Sequence, residues 1–176
     1  IYYESRIAKV KLNKYYMDLI DTEYYNMQVN EGVEDYVIEQ SQKQMSRMEQ
    51  IICDEDRIKQ VVRDIIAHYE ERENLVAGKA MIVAYSRPIA IKIYCKLLEL
   101  RPSWQEKIGV VMTSGNNDPE DWKEIIGTKV HKEELARKFK DNSDPMKIAI
   151  VVDMWLTGFD VPSLATMYVY KPMHGY

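Results

Sequence analysis

Residues Ile148–Leu164 read IAIVVDMWLTGFDVPSL. The apolar run Ile148–Val152 breaks into Asp153, and Asp160 follows seven residues later, between Gly158 and Pro162. A short run that is apolar throughout and bounded by turn residues has the pattern of a strand buried on both faces, as in a parallel sheet. Acids placed just past such a strand face a ligand crevice rather than the core, because α/β sheets gather ligands at the carboxyl ends of their strands. Gly158 lets the backbone approach a ligand closely or take a positive φ. Pro162 stiffens the end of the loop.

Upstream the same rhythm repeats. KAMIVAYS (79–86) and KIGVVMTS (107–114) are two more apolar strands that end in hydroxyl-bearing residues, and TMYVYK (166–171) is a fourth. Ala90, Ile93, Tyr94, Leu97 and Leu98 recur at helical spacing after the first of these. Ser86 is placed to cap that helix, Pro88 suits its first turn, and Arg101-Pro102 ends it. SGNNDPED (114–121) is a polar turn before a helix holding Leu135 and Phe139, which NSDP (142–145) closes. Strands separated by helices predict a parallel sheet covered on both faces.

The first part of the chain is different. Ile58, Val61, Val62, Ile65, Ile66 and Tyr69 mark a helix with Asp54 as its N-cap. Val37, Met45, Met48 and Ile52 mark an earlier helix, joined to it by little more than CDED (53–56), so the two are expected to pack antiparallel. Tyr24, Tyr25, Met45 and Met48 are expected to fill helix interfaces. IYYESRIAKVKL (1–12) reads as a strand. The expected fold class is α/β: a short strand and a mainly helical segment over 1–75, then a helix-covered parallel sheet over 76–176.

Composition narrows the function classes. The chain has 176 residues, 46% hydrophobic and 30% charged, with a net charge of −4. That balance supplies a core and argues against a dedicated basic DNA-binding module, while leaving room for a few phosphate contacts. No apolar run approaches the roughly 18 residues of a membrane span, so no membrane is expected. The first twenty residues are mixed and charged, unlike a signal peptide. The ends, IYYESR and KPMHGY, read as those of a piece of something longer. Cys53 and Cys95 form no CxxC pair, which suits a reduced cytoplasm. His68, His131 and His174 are too scattered for a metal site.

Several chemistries lack their signatures. Gly78-Lys79 is the one GK pair, but Ala80 stands where a P-loop needs Ser or Thr, and no GxGxxG follows any strand. Ser86, His131 and Asp153 make a triad only on paper, without a GxSxG elbow. A phospho-acceptor role for Asp153 would need an acidic cluster that KAMIVAYS does not offer. Catalytic residues and a metal site are therefore not expected within this chain.

With these pieces placed, VVDMWLTGFDVPSLATMYVYKP (151–172) resembles motif V of superfamily 2 helicases and translocases, and in its wording the restriction (R) subunit of type I restriction-modification enzymes. AMIVAYSRPIAIKIY (80–94) is similar to motif IV of the same subunit. IYYESRIAKVKL resembles the stretch where that subunit leaves its first motor lobe. The resemblance covers the start and the last hundred residues, and the order of the motifs makes it specific.

The resemblance implies a second RecA-like lobe, with ATP and Mg²⁺ bound in a cleft shared with a first lobe. Gly158 and Asp160 would lie against the nucleotide, the acid near its ribose. Ser86, Arg87, Thr113, Ser114, Asp153 and Thr157 would track the backbone of double-stranded DNA. Hydroxyls, amides and one arginine bind phosphates without reading bases, which suits a motor that moves along any sequence. Implied partners are the first lobe and nuclease domain of the same chain and the modification and specificity subunits, in a bacterial or archaeal cytoplasm. Two points depart from the pattern. Val152 stands where several relatives have a phosphate-facing Thr, and motif VI, with its arginine finger, would begin after Tyr176. The fragment alone is expected to be catalytically silent, since an arginine finger supplies orders of magnitude in phosphoryl transfer. Two other readings stay open on sequence alone: the second lobe of another superfamily 2 DNA or RNA helicase, and a non-catalytic α/β module that binds a partner.

Overall fold

The computed structural model describes residues 49–156 and 158–171. The expected strand at 1–12, most of the earlier helix with Val37, Met45 and Met48, and the tyrosines at 24 and 25 lie outside the described residues, as do Thr157 and His174. Compact units divide the chain at Val61/Val62, and the sheet lies wholly in the second.

Residues 49–52 end a helix, and a turn at Cys53-Asp54 leads into α1 (Glu55–Glu73). Asp54 caps α1 as its sequence position requires: its carboxylate accepts the Arg57 amide at 3.1 Å. Then come β1 (Lys79–Ala84), α2 (Arg87–Leu100), a 3₁₀ turn (Pro102–Trp104), β2 (Ile108–Val111), α3 (Glu120–Ile126), α4 (Lys129–Lys140), β3 (Ile148–Val151) and β4 (Leu164–Tyr170).

The four strands form one sheet in the order β2-β3-β1-β4, and every neighbouring pair is parallel. Alternate rungs point to opposite faces. Gly109, Ala149 and Met81 share one rung, and Val111, Val151 and Val83 the next on the same face. That face packs against Leu135 and Phe139 of α4, with Met146 and Val161 closing the cluster. The opposite rungs, including Val110, Ile150 and Ile82, face α2 and the later turns of α1. Ile89, Ala90, Ile93 and Leu97 of α2 are buried there, and His68 of α1 bonds Tyr168 of β4 through Nδ1 and the phenol oxygen at 2.8 Å. Glu70 grips Arg101 with both carboxylate oxygens at 2.6 and 3.2 Å, fastening α1 to the end of α2.

Three strands are buried at every position, as expected, but β4 alternates between half-buried and exposed. β2, the other edge strand, is buried beneath the helices that pack on it, whereas Ala165, Met167 and Val169 share one face of β4 and stay exposed, Met167 and Val169 by about half. The single helix expected after SGNNDPED is two. Gly127 takes φ 68 and ends α3, and a Cβ on it would come within 2.5 Å of the His131 ring. Thr128 then starts α4 afresh, its hydroxyl accepting the His131 amide at 3.3 Å.

Ser86 corrects another expectation. It occupies the N-cap position of α2 with extended backbone, but its hydroxyl makes no cap bond and is buried without a partner. The two caps should therefore respond differently. Thr128→Ala is expected to lower chain stability by about 1 kcal/mol. Ser86→Ala should change it by less than about 0.5 kcal/mol, because no bond is lost. Urea denaturation followed by circular dichroism checks both, and equal losses would show that Ser86 does cap in solution.

Candidate functional site

The connections of the sheet set where a ligand can sit. The chain leaves β1 toward β2, passing β3, and leaves β3 toward β4, passing β1. Adjacent strands whose chains depart in opposite directions open a crevice at their carboxyl ends. The register aligns Val83, Val151 and Val111 across three strands, so Ser86-Arg87, Thr113-Ser114 and Asp153 all emerge at this one edge. A cavity of about 320 Å³ lies elsewhere. Its lining of Gly78, Lys79, Lys147 and Ser163, among others, puts it at the amino ends of the strands. Strand polarity gives no reason to expect phosphate chemistry there, and the carboxyl edge is the candidate site.

Arg87 and Thr113 are brought into contact. The Arg87 Nε donates to the Thr113 carbonyl at 2.9 Å, and Nη2 donates to Asp118 Oδ2. Asp118 also accepts the Gly115 amide at 2.7 Å. The Arg87 guanidinium and the Gly115 amide hold the Asp118 carboxyl below the usual carboxylate range. The guanidinium lies over the Trp122 ring, 5.5 Å from its centroid. Asp118 and Trp122 were not legible as site residues in the sequence. Only the "DP" turn was visible there, and nothing in it says which cation the acid meets.

Thr113 and Ser114 are exposed, with their hydroxyls at the surface of the same edge. Val152, at the position where the motif often carries Thr, is buried at 8% exposure and offers no donor. Asp153 beyond it is exposed.

The β3–β4 connection, 152–163, contains no helix and is held by aromatics instead. Trp155 stacks on Phe159, with centroids 4.2 Å apart and planes 12° from parallel, and packs on Phe139 of α4 at 5.6 Å. Lys140 lies over Phe159 at 4.7 Å. Trp155 takes φ 67, a conformation a bulky residue adopts only when its surroundings impose it. The stacking partners on both sides of its ring supply that constraint. Gly158 takes φ 71, and a Cβ there would meet nothing within 4 Å. Its glycine is required by backbone conformation, and the space beside it is open to a ligand. Phe159 faces the protein while Asp160 is exposed, so the stack turns the acid outward. No direct contact joins Asp160 to Arg87 or Thr113 among the described bonds.

Comparison with known proteins agrees with the motifs. Residues 103–176 match the family model described as type I restriction enzyme subunit R domain 3. Over 175 residues, 98% of this chain, the sequence is 42% identical to the putative type I restriction enzyme MjaIXP endonuclease subunit of Methanocaldococcus jannaschii. The chain belongs to the R-subunit family of type I restriction enzymes. It is also 38% identical over 134 residues, 73% of the chain, to the type I restriction enzyme HindI endonuclease subunit of Haemophilus influenzae. These matches cover 16% and 13% of the two relatives, so the chain spans about one sixth of an R subunit's length or less. The four-stranded parallel sheet with helices is the α/β architecture expected of a RecA-like lobe. Among the described residues, no helix is long and apolar enough to cross a membrane.

Proposed function

We propose that this chain is the second RecA-like lobe of the motor with which a type I restriction endonuclease R subunit moves double-stranded DNA before cleaving it. The observation that carries this reading is the emergence of Arg87, Thr113, Ser114 and Asp153 at one carboxyl edge of a parallel sheet. ATP supplies the driving chemistry through its γ-phosphate. The residues here fit a share of that nucleotide's binding. Asp160 presents an exposed carboxylate, which accepts hydrogen bonds from ribose hydroxyls, and Gly158 leaves open space for close approach. On this reading Mg²⁺ would accompany the nucleotide in the cleft shared with the first lobe.

Arg87, Thr113, Ser114 and Ser86 take the phosphate backbone, with Asp153 at the same edge, and Thr157 is assigned the same role on the motif alone. Contacts of this kind position DNA without reading its bases. Opening and closing of the nucleotide cleft would then move the DNA-facing edge relative to the first lobe. The nuclease domain of the same chain and the modification and specificity subunits complete the assembly on this reading, which places it in a prokaryotic cytoplasm.

The test is DNA-stimulated ATP hydrolysis by the intact R subunit, wild type against Asp160→Ala, with melting temperature as the folding control. Turnover is expected to fall about tenfold or more, a loss of at least ~1.4 kcal/mol of transition-state stabilisation. Unchanged turnover in a well-folded variant would make the loop architectural and remove Gly158 and Asp160 from the site.

A further inference from the structure

We propose that Asp118 and Trp122 are positioning residues that hold Arg87 ready to bind a backbone phosphate of double-stranded DNA. The inference rests on the DNA-contacting reading of Arg87 given above and adds the groups that make the arginine competent. An arginine side chain has four rotatable bonds, and a phosphate that recruits it from solvent must first freeze them. Arg87 is already fixed at three points. Its Nε is bound to the Thr113 carbonyl, its Nη2 to Asp118, and its Cζ lies over the Trp122 ring at 5.5 Å from the centroid. A guanidinium has five N–H donors, and these bonds account for two. The side chain keeps 29% of its surface exposed while that of Asp118 keeps only 6%. The carboxylate therefore sits on the protein side of the pair, and the remaining donors are left for a ligand from solvent.

The neighbourhood suits a phosphate. The Thr113 and Ser114 hydroxyls are exposed at the same edge, and the Ser86 hydroxyl beside Arg87 has no partner of its own. The Gly115 amide anchors Asp118 independently of Arg87, so the acid stays in place as a fixed template. Trp122 serves as a flat support that a guanidinium can lie on without losing its in-plane donors.

The experiment measures DNA-stimulated ATP hydrolysis by the intact R subunit as a function of duplex DNA concentration and salt. Asp118→Asn, Arg87→Gln, their double variant, Trp122→Phe and Trp122→Leu are compared with wild type, with melting temperatures alongside. Asp118→Asn should raise the DNA concentration for half-maximal stimulation about tenfold, with the effect falling there rather than on turnover at saturating DNA. It should add nothing in the Arg87→Gln background. Arg87→Gln should flatten the salt dependence by about 0.9 in log–log slope, the loss of one duplex phosphate contact. Trp122→Leu should weaken DNA response and Trp122→Phe restore it, which keeps the test open should Asp118→Asn fold poorly.

Tighter DNA response in Asp118→Asn would overturn the inference, because Asp118 would then be a competitor of the phosphate. An undiminished Asp118→Asn effect in the Arg87→Gln background would overturn it too. If Arg87→Gln weakens DNA response but the Asp118 and Trp122 variants do not, the positioning inference alone fails. If no variant or wild type shows DNA-stimulated turnover, the motor reading fails with it.

Discussion

Lys79→Ala is expected to destabilise the chain by about 2–5 kcal/mol, the range for truncating a long buried side chain to alanine. Lys79 is 1% exposed and opens β1, and its ammonium reaches the C-terminal end of α4. Nζ donates to the carbonyls of Lys138 at 3.2 Å and Asp144 at 3.5 Å, and also to that of Met146. The Lys138 carbonyl belongs to the last turn of α4, where a cation satisfies the unpaired acceptors and complements the helix dipole. The Asp144 and Met146 carbonyls belong to the turn that carries the chain from α4 into β3. One side chain thus joins three segments. Burial, with Lys147 nearby, pulls the Lys79 ammonium below its ordinary pKa of 10.5, while Asp144 and Asp141 oppose that shift. Alanine would leave the stem's volume empty and the carbonyls short of a donor. Methionine keeps most of the volume and removes the charge, so Lys79→Met should cost about half as much. Urea denaturation of the three chains measures the difference. A methionine variant as stable as wild type would mean that the ammonium contributes no net stability.

In the sequence, Lys79 stands out only as the lysine of a failed P-loop. The reason it is buried depends on residues 59 to 67 positions away, which no local pattern connects.

The second large effect is expected at Phe139. This ring is fully buried in α4, fills the cluster beneath β1 and β3, and carries Trp155 on its other side. Phe139→Ala should lower stability by about 3–5 kcal/mol through lost burial and the cavity left behind. It should also reach the functional loop. Trp155 holds a positive φ because Phe139 and Phe159 fix its ring. Without Phe139, the loop is expected to relax toward ordinary backbone angles and carry Gly158 and Asp160 with it. Phe139→Leu refills most of the cavity without an aromatic face, so it should regain stability while DNA-stimulated ATP turnover in the intact subunit stays reduced. Tryptophan fluorescence of the isolated chain provides a structural readout, although Trp104 and Trp122 contribute to it as well. Full recovery of turnover in Phe139→Leu would show that the stack does not set the loop.

Features that depend on short-range chemistry were legible in the chain order. Apolar runs of four to six residues marked β1, β2 and β3, because a strand covered on both faces has no polar position to interrupt it. Ile58 through Tyr69 marked the buried face of α1, and Asp54 its cap. The motifs at 80–94 and 151–172 pointed to the R-subunit family, and the homologues agree. The break between α3 and α4 went unread, although Gly127-Thr128, a helix-ending glycine followed by an N-cap residue, carries its signal.

Long-range packing settled the rest. The strand order β2-β3-β1-β4 comes from packing and crossover geometry, not from any local pattern, and it puts Arg87 beside Thr113 at one edge of the sheet. Ser86 had the right residue type and position for a cap, yet its hydroxyl makes no such bond. Asp118 became the partner of Arg87 through a contact spanning 31 residues, and Trp155 met Phe139 through one spanning 16, beside its local stack on Phe159. Periodicity reports which side of an element is apolar. It carries no information on which distant side chain will be there to meet it, and at this site those distant partners set the geometry.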